Sequence, residues 1–210
     1  MKYMGRKIIT ILLILCAVMS VAGCQDELTE AKNTVQVYLT ALSNFNLDAM
    51  KTSLDQGTNE DMGIDTSVYQ STYIQTDTYK KAVDSMYKSL SNMMEFTIHE
   101  AEKQEDGSYL VYTTLKCADV NREAVDTFMQ IRVDEYTQKH PEILQKTELD
   151  QNNIGIQVMA EAYREFVQLQ PKVSADVKIA VCKTGGNWRI ISDDRNQELK
   201  QWIQDMFGTF

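Results

Sequence analysis

The chain is poor in the residues on which most recognisable chemistry depends. It has only two histidines, two prolines and nine glycines in 210 residues. No Gly-rich phosphate loop, no H-E-x-x-H, no G-x-S-x-G and no paired metal-type cysteines occur. These gaps argue against the P-loop, zincin and serine-hydrolase classes, and no cofactor is expected. Basic residues are also scarce, with 21 Lys and Arg against 30 Asp and Glu and a formal charge of −9. Such a field opposes nucleic acid as a partner. The longest apolar run, 8–21, is 14 residues, whereas a spanning helix needs about 20. No repeat of fixed period is present, and no Gly/Ser/Pro-rich tether follows the apolar run.

That run is informative because of its flanks. Lys2, Arg6 and Lys7 precede it without an acid, and Val21-Ala22-Gly23-Cys24 follows it at once. A basic start, a short apolar stretch and small residues behind it form an export signal. Val21, Ala22, Gly23 and Cys24 resemble the lipobox of bacterial lipoproteins: an aliphatic residue, a small residue, Gly or Ala, then Cys. The resemblance implies that the Cys24 thiol takes a diacylglyceryl group and that residues 1–23, Cys16 among them, are removed. The partner so implied is the lipid bilayer, reached through acylated Cys24 on the extracytoplasmic face of the cell membrane. Each buried CH₂ contributes roughly 0.8 kcal/mol, and stable anchoring takes more than one chain. Loss of Lys2, Arg6 and Lys7 takes the charge from −9 to −12, so the lipid rather than a basic patch must supply the membrane attachment.

Residues 24–210 are long enough to bury around 70% of their unfolded surface and are read as one domain. Asp26 is a candidate N-cap for a first helix whose inward face is Ala31, Val35, Tyr38, Leu42 and Phe45. Asn44-Phe45-Asn46 interrupts it, 47–54 continues as a second helix, and 55–66 reads as loop. The next segment becomes helical in its second half, with Val83, Met86, Tyr87, Leu90 and Met94 aligned. Then the period changes to two over 95–104 and 108–118, around Glu105-Asp106-Gly107, a strong hairpin signal. Tyr109, Val111, Thr113, Leu115 and Cys117 share one face. Residues 121–139 return to helix and end at His140-Pro141, 141–153 reads as irregular, and 156–169 is helical, with Met159, Tyr163, Phe166 and Val167 inward. Val173, Ala175, Val177, Ile179 and Val181 then alternate with Lys172, Ser174, Asp176, Lys178 and Ala180. Gly185-Gly186-Asn187 turns into 188–192. Asp194, with Gln197 three residues on, suggests a capping box for a last helix at about 194–207, striped by Leu199, Trp202, Ile203, Met206 and Phe207.

The expected fold is α+β: N-terminal helices on a curved antiparallel sheet of about four strands in two hairpins, a two-helix insertion at about 121–169 between them, and a C-terminal helix. The ending Val173 to Ile191, with its Gly-Gly-Asn-Trp-Arg-Ile-Ile close, together with the lipobox and the opening helix, resembles the lipoproteins of Gram-positive bacteria that have a nuclear-transport-factor-2-like (cystatin-like) domain. The resemblance implies a cone whose mouth often holds a ligand. It also implies that the second and third strands are antiparallel neighbours. Cys117 would then face 173–175, too far from Cys182 for a disulfide. Two free thiols are expected, Cys117 buried and Cys182 covered by a helix.

Candidate chemistry is thin. His99, placed on a face with Glu95, Thr97 and Ala101, could be a general base but is better read as a half-exposed strand residue; His140 is better read as a helix C-terminal cap. Trp188 is better read as core than as pocket lining. Tyr38, Tyr109, Tyr112 and Tyr163 could offer hydroxyls, and Met93, Met94, Met129 and Met159 fit core filling. Glu100, Glu102, Glu105 and Asp106 read as a solvated edge rather than a calcium loop. The leading reading is a membrane-anchored binding module for a small apolar ligand or an envelope protein. Behind it stand a structural envelope protein and an isomerase- or dehydratase-type enzyme, which would need a base inside the cone.

Overall fold

Turn chemistry sets the sheet. The computed structural model describes residues 26–64 and 76–207; Cys24 and the rest of the lipobox lie outside the described residues. Gly185 and Gly186 both have positive φ, +59° and +85°, as a two-residue hairpin turn requires, and Thr184 pairs with Asn187 across them. At the other hairpin Gly107 takes φ +83°, while the Asp106 carboxylate accepts from the Ser108 amide at 2.9 Å. These turns join β1 (Glu95–Lys103) to β2 (Tyr109–Ala118) and β3 (Lys172–Thr184) to β4 (Asn187–Ile190), in one four-stranded antiparallel sheet of order β1-β2-β3-β4. The β2–β3 register places Cys117 opposite Val173.

The helices cover the sheet with apolar faces. Helix α1 (26–43) buries Ala31, Val35, Tyr38 and Leu42. Asp26 already lies inside it, so it is not the cap. Phe45, the one described non-glycine residue with positive φ (+48°), turns the chain into α2 (Leu47–Thr52). Its ring stacks on Tyr87 of α3 (Asp77–Ser91) at 4.6 Å. Phe207 of α6 (Gln197–Phe207) closes on both rings, at 5.5 and 5.8 Å. Three helical segments distant in sequence thus meet in one aromatic cluster. The expected apolar positions of α3 and most of those of α6 are buried, with Trp202 half-buried.

The inserted pair is α4 (Arg122–Lys139), capped by Asn121, and α5 (Glu148–Leu169). Residues 141–153 are not irregular: Pro141–Gln145 forms a 3-10 turn, and α5 starts at Glu148. Asn152, Asn153 and Gly155 have weak helix propensity. The Thr147 cap, with Glu148 and Asp150 in the first turn, outweighs it, and Asn153 accepts a bond from the Thr76 hydroxyl at 2.8 Å.

Four smaller departures from expectation have local causes. A bulge puts His99 and Glu100 opposite Tyr112, so Ala101 turns inward against Val111 while His99 faces out. Val173 is 47% exposed, because β4 runs opposite only the far end of β3 and leaves its start as a free edge. Ala180, assigned to the outward polar set, is buried. Just beyond β4, the Ile191 amide bonds its carbonyl and Asn196 covers it. Lastly, Asp193 rather than Asp194 is the cap. It accepts from the Arg195 amide and opens a 3-10 turn, Asp194–Asn196, ahead of α6.

Asn196 is fully buried and completes the β3 edge. Its Oδ1 accepts from the Ala180 amide at 2.7 Å, and its Nδ2 donates to the carbonyls of Ala180 (2.9 Å) and Ile191 (2.6 Å). Replacing it would strand buried backbone groups at about 1–3 kcal/mol each. Asn196→Ala is therefore expected to lower unfolding free energy by at least about 2 kcal/mol in urea titration. A loss below about 0.5 kcal/mol, the size of an ordinary surface change, would refute this role.

Candidate functional site

Along the inner face of the sheet there is core rather than an open cone. Tyr38, Leu42, Tyr87, Leu90, Tyr109, Leu115, Val177 and Ile179 are buried in one continuous cluster. Trp188 is 8% exposed, sits edge-on to Tyr109 at 5.3 Å, and donates its indole N–H to Glu30 at 2.9 Å. The polar atoms inside are hydroxyls. Those of Tyr38, Ser91 and Thr113 are buried without a hydrogen-bond partner, and burial pushes the ionisation of Tyr38 far above that of an ordinary phenol. A neutral phenol can donate to an oxyanion, but a dehydratase-type site also needs a base beside it. The inward residues of β2 and β3 supply none.

Polar groups converge instead on the outer face. Thr114 Oγ donates to Asp176 at 2.6 Å and lies 2.8 Å from His99 Nε2. Because the hydroxyl donates its proton to the carboxylate, it accepts from His99 Nε2. The hydroxyl stands between imidazole and acid, so the acid does not orient the imidazole as in a nucleophile-base-acid triad. Beside this line Tyr112 donates to Glu102 at 3.0 Å, and the Lys178 ammonium lies 5.6 Å from the Tyr112 ring centre. Two shallow grooves of about 360 and 770 Å³ share Lys178 and Glu198. His99 and Asp176 are exposed. The expected acid cluster is held apart: hydrogen bonds from Ser108 keep Asp106 below the usual carboxylate range, and Asp106 pairs with Arg195 at 3.2 Å. Among the described residues no group of three His, Cys, Asp or Glu could hold a metal.

The third surface is apolar and belongs to the insertion, which the motif search passed over because it carries no reactive group. Ile131 is 50%, Leu144 65% and Leu149 57% exposed. A groove of about 450 Å³ runs between Tyr79 of α3 and Val133, Tyr136, Leu144, Ile156 and Met159 of the insertion. Arg132 braces the two helices, bonding Glu135 (3.1 Å) and Glu165 (2.5 Å) beneath Phe128. His140 is the C-cap of α4, as expected, its ring tilted against Tyr136 at 4.5 Å and 3.2 Å from Glu142. Most large exposed apolar side chains of the described residues fall between 131 and 169.

Both remaining cysteines are free thiols. Cys117 is buried, points to the Leu90 carbonyl at 3.6 Å, and is pushed by burial to a pKa of about 11. Cys182 is half-exposed beside Thr184 rather than covered by a helix.

No protein-family model matches the chain, and no curated protein does. One crystal structure shares the fold. It is that of a candidate lipoprotein, ycdA, from Bacillus subtilis, at 15% identity and a TM-score of 0.57 over 87% of this chain. The chain spans 58% of that protein's length. Among the described residues no helix is long and apolar enough to cross a membrane.

Two measurements test this layout. Deleting a buried large aromatic costs about 3–5 kcal/mol, so Trp188→Ala should destabilise by that much. A cost under about 1 kcal/mol would mean that the indole is exposed. Native alkylation at pH 8 should modify Cys182 and spare Cys117, whose thiolate is scarce and shielded. Denaturant should release Cys117. Equal native reactivity would contradict its burial.

Proposed function

We propose that this chain is a lipid-anchored extracytoplasmic protein that recognises another envelope protein through its inserted helices. The anchor rests on Val21-Ala22-Gly23-Cys24 behind a basic and apolar leader. The fold shared with ycdA, itself a candidate lipoprotein, is consistent with it. The mode of recognition rests on one observation, an open apolar groove of the insertion lined by Leu144, Tyr136 and Met159, in a segment that also exposes Ile131 and Leu149. Soluble surfaces scatter such residues singly, and their concentration in one inserted segment favours an interaction site. A small apolar ligand held in a cone is the weaker reading, since side chains fill that space. The nuclear-transport-factor-2-like assignment is likewise a proposal, supported by helices packed on a four-stranded antiparallel sheet.

Cys24→Ala should abolish the mature, detergent-phase form and accumulate uncleaved precursor when cells are fractionated. Normal processing and partitioning of the variant would sink the anchor. For the partner, a photo-crosslinking residue at Leu144 should give a discrete adduct in cells, and one at Ser174 on the outer sheet face should not. Adducts from Ser174 alone would move the binding surface to the polar grooves.

A further inference from the structure

We infer that the end of the sheet bearing its two hairpin turns is the surface that rests on the phospholipid headgroups, with the opposite end, from which the inserted helices spring, held away from the bilayer. This rests on the anchor reading and adds an orientation to it. Two peptide links separate Cys24 from Asp26, a reach of at most about 7 Å. The start of α1 is fixed to the sheet from both sides. Glu27 pairs with Lys103 at the end of β1 at 2.9 Å, and Glu30 holds the indole of Trp188 on β4. Lys103 and Trp188 flank the turns at 104–108 and 185–186, so both turns lie at the α1 end. From there β2 runs ten residues to Ala118, about 30 Å at strand rise, before the chain enters α4. The end of α5 returns to the same far end, where the Asp119 amide bonds the Pro171 carbonyl at 2.9 Å. Phe128, Ile131 and Phe166 line a shallow apolar hollow with Asn121 at the start of the insertion, and Leu169 is 69% exposed beside it. The turn end carries Glu105 and Asp106 alongside Lys103 and Lys183, so no net positive charge draws it to anionic lipid. The covalent lipid and the absence of a tether set the orientation.

The test uses the lipidated protein from cells, in a Cys117→Ser, Cys182→Ser background, with single labelling sites at Glu105→Cys, Asn187→Cys or Glu123→Cys. Each is labelled with a fluorophore and reconstituted into phosphatidylcholine vesicles containing a headgroup-nitroxide lipid. All three proteins should float with the vesicles. Labels at 105 and 187 should lose most of their emission, and the label at 123 should lose little. Failure to float overturns the anchor and the orientation with it. Flotation with equal quenching at all three sites, or strongest quenching at 123, overturns the orientation alone and leaves the anchor standing.

Discussion

The junction of Trp188 with Glu30 decides how the rest of the molecule is placed. The indole fills the corner between α1 and the last strand, edge-on to Tyr109, and its N–H has a carboxylate to satisfy it. A buried indole N–H with no acceptor would cost about 1–3 kcal/mol. The pair therefore fixes the rotation of α1 as well as its position. With α1 so turned, Val35, Tyr38 and Leu42 face the sheet. Phe45 then arrives where Tyr87 and Phe207 can close on it. The first helix, the last strand and the last helix are thus tied together although the chain visits them far apart.

What could be read from the sequence follows from how local each determinant is. Hairpin turns at Asp106-Gly107 and Gly185-Gly186 are written in residues that tolerate positive φ. The five inward positions of β2 obey a strict period of two. The resemblance implied that Cys117 faces 173–175, and its pairing with Val173 agrees. The bulge at His99-Glu100 carries no glycine to announce it, and one extra residue moves Ala101 to the other face. The start of α5 was hidden because a contact with Thr76, 77 residues away, supports its weakest turn. Asn196 was unremarkable in sequence, since only the shortness of β4 gives β3 an edge to complete.

The candidate surfaces divide in the same way. Polar residues on the outer sheet face could be named in advance, but their pairing could not. Thr114 links His99 to Asp176 across three strands, which depends on register and bulge together. Exposed apolar residues on the insertion were missed for a different reason. Ile131 lies off the face that Val125, Phe128, Met129, Arg132 and Tyr136 share in the sequence, and of that face only Val125 and Met129 are fully buried, which leaves Tyr136 38% exposed.

The two inserted helices consequently do different jobs. Helix α5 packs on both α3 and α4 and sends Tyr163, Phe166 and Val167 into the main core; changes there carry the large penalties of cavity formation. Helix α4 contributes two buried residues and meets α5 through Phe128 on Phe166 and through the Arg132–Glu165 pair, which lies at the surface and is individually weak. Apart from Val125, Met129 and Ile143, which are buried, residues on α4 and in the turn at 140–147 can therefore change with little effect on the fold. Leu144 lies in that segment and Ile131 on α4 itself. Recognition placed there can diverge while the sheet, its turns and the aromatic cluster stay fixed. A sheet-and-helix frame shared at 15% identity is compatible with that division.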